Sequence, residues 1–220
     1  MGNFKTREGS SMKKVCATDH TVRGIDLSHW DADPEWDILK ASGIGFVFAK
    51  ATDGSTGVDG KFEKFRAAAK AVGIPFGAYH FFRASQDPIA QAKHFCSTVG
   101  PLQKGDLLPM IDWELDDGTD VSDDTEAGLK FIAAVKTLLK VPKLITYGGA
   151  SFLEGLGGVE DLADDPLFVA HYGVQCPDVP EPWDNWVFWQ FSDSYPIPGI
   201  GKCDADLFNG TIDQLKAYQV

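Results

Sequence analysis

Residues 108–149 read "LPMIDWELDDGTDVSDDTEAGLKFIAAVKTLLKVPKLITYGG". An apolar run through Leu108, Met110 and Ile111 ends on Asp112-Trp113-Glu114. An amphipathic stretch follows, with acids early and lysines late, as a helix macrodipole favours. A second apolar run then closes at Tyr147. Strand, helix, strand is the unit that builds a parallel sheet through right-handed crossovers.

The pattern extends in both directions. "GIDLSHW", "IGFVFAKATDG" and "IPFGAYHFF" precede it, and "PLFVAHYG", "WVFWQFSD" and "KCDADLFNG" follow. That makes eight candidate strands. The second, fourth and sixth are near-continuous apolar runs, as strands covered on both faces require. "DPEWDILKASG" has Asp33 as a plausible N-cap and Pro34 at the first helical position. "DGKFEKFRAAAKAVG" places apolar residues at 62, 65, 68, 69 and 72, a helical period stopping at Gly73. "SQDPIAQAKHFCSTVG" repeats the style, and "ASFLEGLGGVEDLA" is a shorter, glycine-broken version. The last two spacers are rich in Pro and Gly and hold no packed helix. The expectation is an α/β fold: an irregular TIM-like barrel of five β/α units followed by three strands without helices. "TIDQLKAYQV" suits a short closing helix. Residues 1–22 are read as a flexible N-terminal arm, and 23–220 as a single barrel domain.

Bulk properties narrow the function. The chain has 220 residues, 44% hydrophobic and 24% charged, a globular composition. The formal net charge is -12, which argues against nucleic-acid binding. No apolar run reaches membrane-spanning length. The N-terminus lacks the apolar segment of a secretory signal. Cys16, Cys96, Cys176 and Cys203 show neither CxxC nor metal-ligand spacing. They read as buried thiols, with room for one disulfide.

In α/β barrels the chemistry gathers where the strands end. Those ends offer Asp26, Lys50, Asp53, Tyr79, His80, Arg83, Asp112, Glu114, Tyr147, His171, Tyr172, Trp189, Gln190, Asp204 and Asp206. On a strand, residues i and i+2 share a face, so Asp112 and Glu114 stand about 6–7 Å apart on one side. Like charges that close push at least one pKa upward. Carboxylates ringed by aromatics suit a polysaccharide cleft, since acids protonate the glycosidic bond and aromatic faces stack on sugars.

The ordered set "GIDLSHW", "FVFAKATDG", "FGAYHFF", "MIDWE", "LITYGGASF", "VAHY" and "WQFSD...GKCDADLFNG" resembles glycoside hydrolase family 25, the N-acetylmuramidase-type lysozymes. The resemblance spans about residues 24–211. It implies hydrolysis of the β-1,4 bond between N-acetylmuramic acid and N-acetylglucosamine in peptidoglycan, by a monomer without cofactor or metal. It matches Glu114 to the general acid and Asp112 to its partner acid. Asp26 and Asp204 match further active-site carboxylates. Tyr79, Tyr147, Tyr172, Trp189 and Gln190 match substrate-binding positions. Asp31 stands where Gln is commoner, and Asp206 where Asn is frequent. Of the last two acids, Asp204 is chosen by its place in the motif. A chitin-type β-1,4-N-acetylglucosaminidase, a non-catalytic glycan-binding barrel and a metal-dependent deacetylase are the competing readings. The setting expected is a lysing host's cytoplasm or the extracellular space, with action at the bacterial wall, as for a phage endolysin.

The acid must hold a proton near neutral pH, and crowding by Asp112 and Asp26 with partial burial is the expected cause at Glu114. Retention follows whether a carboxylate or the substrate's own 2-acetamido group attacks. Asp112 is read as orienting that amide. Structural readings stand beside these. Trp113 packs away from the acids. Lys50 and Arg83 pair with acids, and His80 and His171 are structural hydrogen-bonders. "DDGTDVSDD", residues 116–124, lacks EF-hand spacing and reads as a solvated loop.

Overall fold

The computed structural model describes residues 12–115 and 117–220. Eight strands form the barrel: β1 (Val22–Leu27), β2 (Phe46–Asp53), β3 (Phe76–Phe81), β4 (Met110–Asp112), β5 (Ile145–Gly149), β6 (Leu167–Ala170), β7 (Phe188–Ile197) and β8 (Gly201–Phe208). Helices α1 (Trp36–Ala41), α2 (Phe62–Ala71), α3 (Pro88–Val99), α4 (Val121–Leu139) and α5 (Ala150–Leu156) follow the first five strands in turn. The short α6 (Ile212–Leu215) closes the chain with a Thr211/Gln214 capping box. The five-plus-three pattern is therefore the one expected.

Strands β1 to β7 run parallel, each beside the next, and β1–β2 pairing closes the ring. β8 is antiparallel to both neighbours, β7 and β1. The cause is the tight turn after Ile197, because a short connection joins only antiparallel strands. Reversal of β8 decides the depth of its residues. Asp206 faces Gly24 and Phe208 faces Val22 across the β8–β1 ladder. Asp204 therefore lies nearer the end where β1 finishes.

The barrel interior is filled by Phe46, Phe48, Phe168, Phe188 and Phe208, with neighbouring rings 5.2–6.0 Å apart. Two glycines make room for them. A Cβ on Gly24 would lie 2.2 Å from the Phe46 ring, and one on Gly77 would lie 2.3 Å from Phe48. A second core lies between strands and helices, around Phe65, Phe95, Trp113, Phe131 and Trp186. Burial of these two layers supplies the main drive to fold.

Helix entry holds one correction. Asp87 caps α3 through Ala90 N at 2.7 Å, with Pro88 in the first turn. Asp33 does not cap α1, which begins only at Trp36. Its carboxylate instead accepts from Lys64 Nζ at 2.6 Å.

The assigned arm also divides differently. Residues 1–11 lie outside the described residues. Lys13–Lys14 pairs with Asp178–Val179, and Val15 O accepts from the Trp186 indole at 2.7 Å. Cys16 forms a disulfide with Cys176, while Cys96 and Cys203 are free thiols. Residues 12–16 are thus docked on the barrel. Pairing across 160 residues leaves no local trace in the sequence.

Candidate active site

Asp26, Lys50, Tyr79, Phe81, Met110, Asp112, Glu114, Tyr147, Tyr172, Gln190, Asp193 and Asp204 line a pocket of about 240 Å³ at the mouth of the barrel. A second depression of about 560 Å³, lined by His29, Asp53, Asp59, Arg83 and Asp117 among others, shares Lys50 with it. The two adjoin at Lys50.

β4 supplies the central pair. It ends at Asp112, and alternation sends Trp113 outward while Asp112 and Glu114 both reach the pocket. Trp113 is fully buried and donates its indole N–H to Asp124 Oδ1 at 2.7 Å. A Cβ on Gly128 of α4 would lie 2.2 Å from the indole. The packing reading of Trp113 therefore holds. The reading of 116–124 as solvated does not hold at Asp124, which is fully buried in the first turn of α4. A helical start with its third or fourth residue facing inward was the signal available.

The two acids differ in setting. Asp112 is buried, with Oδ1 accepting no hydrogen bond from the described residues, whereas Glu114 is exposed at the rim. Burial pushes the Asp112 carboxyl well above the usual range, and the charge of Glu114 adds to this. Desolvation also raises Glu114, but Lys50 and Arg83 oppose it. Burial, rather than anion crowding, is the leading cause at both acids, and the Lys50 charge opposes it at both.

Gln190 is the hub of the opposite wall. Tyr147 Oη donates to its Oε1 at 2.8 Å, and Tyr172 Oη donates to the same oxygen. With its carbonyl fixed this way, the Gln190 amide N–H points at Asp26 Oδ2, 2.7 Å away. Tyr147 and Tyr79 are buried, whereas Tyr172 is 45% exposed and offers a ring to the cleft.

Asp26 is buried, and burial raises its pKa to about 6 despite the Gln190 hydrogen bond. Asp204 is half-buried and is pushed to about 9, by burial first and then by Asp26 and Asp31. Asp206 is fully buried one layer deeper and does not line the pocket. Asp31, at the Gln-like position, accepts from Ser28 N at 2.7 Å and caps the turn after β1.

Other expected residues divide. Trp189 is not in the pocket. It faces outward, donating to His171 O at 2.8 Å and packing on Trp186 and Phe191. Its neighbour Gln190 takes the inward position, and adjacent strand residues cannot share a face. Arg83 pairs with Asp53 at 2.8 Å and Asp117 at 3.5 Å. Lys50 instead places its ammonium 4.3 Å from the Phe81 ring centroid. His80 bonds Thr52 and Gln91 and stacks on Phe131, a structural role. His171 Nδ1 accepts from Asp178 N. Sequence reading missed Phe81, Met110 and Asp193 as pocket residues. Asp193 escapes parity counting because register irregularities interrupt β7 between Gln190 and Tyr195.

Comparison with known proteins gives the family and the fold. Residues 25–200 match the sequence profile of glycosyl hydrolases family 25. The chain is 33% identical over 211 residues to Lysozyme M1 of Streptomyces globisporus, covering 89% of this chain and 70% of that protein. The bacterial lysozyme of Streptomyces coelicolor superposes with a TM-score of 0.85 at 31% identity, covering 91% of this chain and 98% of the other. The muramidase of Trichobolus zukalii gives 0.82 at 30% identity, over 90% and 98%.

Proposed function

The chain belongs to glycosyl hydrolases family 25, and from that premise we propose that it is a retaining muramidase acting on bacterial peptidoglycan. The bond cut is the β-1,4 link from N-acetylmuramic acid to N-acetylglucosamine. The observation that carries the reading is one pocket holding a rim acid, Glu114, beside a buried acid with a free acceptor oxygen, Asp112. The lysozyme and muramidase names of its relatives support the class.

Glu114 is the proton donor and Asp112 orients the substrate. A 2-acetamido N–H donated to Asp112 Oδ1 would satisfy the oxygen left without a partner. That bond favours ionised Asp112. A negative Asp112 in turn holds the proton on Glu114, which faces the leaving oxygen. Substrate binding thus moves the shared proton to the place where it is used. The turned amide oxygen attacks the anomeric carbon, the C–O bond breaks, and Glu114 protonates the departing sugar. Water then opens the cyclic intermediate with Glu114 as base. Ionised Asp26 stabilises the positive charge on the ring.

Digestion of purified walls, with mass analysis of the products, tests this. New reducing ends on N-acetylmuramic acid, formed first as the β-anomer, are expected. Glu114→Gln should lower turnover at least about 100-fold. Reducing N-acetylglucosamine, chitin cut as fast as wall, or acetate released without chain cleavage would each refute it.

A further inference from the structure

Asp206 takes no part in the proposed mechanism, yet it is the most enclosed acid beside the pocket. It is 0% exposed, and among the described residues no N–H or hydroxyl donates to either carboxylate oxygen. The ladder sets it opposite Gly24 of β1 and Gln190 of β7. Gly24 has no side chain to answer it, and the Gln190 amide is committed to Asp26. Below it lie phenylalanine rings. The polar groups that act on it are the carboxyls of Asp26 and Asp204, with Asp26 beside it on the inner face of the barrel.

Two carboxylates cannot sit side by side out of water unless a proton lies between them. An ionised Asp206 would be desolvated and unpaired, at a cost of several kcal/mol. We propose that Asp206 is a positioning residue that stays protonated through the working pH range and donates its O–H to Asp26. Asp26 then receives the Gln190 amide on one side, the Asp204 carboxyl on the other and the Asp206 hydroxyl from beneath. The donors fix both the rotamer of Asp26 and its negative charge. The titratable groups facing this pair are Asp204 and Cys203 on β8, Asp31 after β1, Asp112 and Glu114 at the end of β4, and the hydroxyls of Tyr79, Tyr147 and Tyr172, none of them cationic. Among the described residues no cation acts on Asp206 to hold it ionised. Burial, Asp26 and Asp204 all act in the same direction on it.

The test has two arms. In carbon-13 NMR, one aspartate Cγ resonance, missing from Asp206→Asn, should keep its protonated position across about pH 5 to 8. In wall digestion, Asp206→Asn keeps a donor in the same place, so kcat/KM should stay within about threefold, with the acid limb unmoved. Asp206→Leu keeps the volume and loses the donor. Its kcat/KM should fall at least about tenfold, mostly in kcat, with the acid limb moved about one unit toward neutral. A resonance that titrates like an exposed aspartate overturns the proposal. So does Asn as impaired as Leu, or Leu with the parent's profile. Should Leu not fold, the resonance and the Asn variant decide. The digestion arm rests on the muramidase reading and the NMR arm does not, so a parent without activity would sink only the former.

Discussion

Gln190 shows how one amide sets the chemistry of a whole wall. Two tyrosine hydroxyls hold its oxygen, which leaves its N–H no choice but Asp26. Gln190→Leu would strand three polar groups at once. We expect stability to fall by about 1–3 kcal/mol in urea denaturation, and kcat/KM to fall at least about tenfold as Asp26 loses a donor. Gln190→Glu is expected to be worse than Leu for activity, since it adds an anion beside Asp26. An activity loss for Leu without loss of stability would show that the tyrosines find other partners.

Elements act through their contact surfaces, and α4 is the clearest case. It carries no pocket residue, yet Asp124 and Gly128 clamp Trp113 between Asp112 and Glu114. Gly128→Ala favours the helix by up to about 1 kcal/mol. The new methyl collides with the indole, and overpacking costs about 1–3 kcal/mol. The collision should win, because the ring is walled in on every side. Lower stability and lower kcat together are the expected outcome, read by denaturation and wall digestion. The Lys13–Lys14 and Asp178–Val179 pair is a lesser element, held by the Cys16–Cys176 disulfide. Replacing both cysteines by serine should cost about 2–4 kcal/mol, since the bridge closes a loop spanning most of the chain. Turnover should change little, because neither cysteine lines the pocket.

At the scale of the whole molecule, the buried carboxyls couple function to stability through pH. Asp26 is raised to about 6 and Asp204 to about 9, and Asp112 and Asp206 are raised as well. Unfolded aspartates titrate near about 3.9. Above that value the native state binds more protons than the unfolded one, so stability falls as pH rises, until each folded pKa is passed. Asp33 and Asp184 have lowered values but lie on the surface, where ion pairs contribute little. Buried His80, lowered to about 4, opposes the decline until the unfolded imidazole loses its proton at about pH 6.5. Urea midpoints should therefore decline from about pH 6.5 to about pH 9. Asp206→Asn should flatten the decline, because its amide releases no proton. Midpoints that rise over this window would contradict the protonated cluster.

The sequence by itself determined the strand and helix order, the barrel class and the acids at 26, 112, 114 and 204. These follow from local signals: apolar runs, helical periods, glycine stops and motif order. Alternation also placed Trp113 outward. Only the tertiary structure decided the reversal of β8, which puts Asp204 at the pocket and Asp206 beneath it. It alone decided that Trp189 faces out, that Asp124 is buried, and that Cys16 finds Cys176. It also showed that burial, ahead of crowding, raises Asp112 and Glu114. The reason is the same in each case. Depth, facing and the field at a carboxyl depend on groups far away along the chain, and a local pattern carries no record of them.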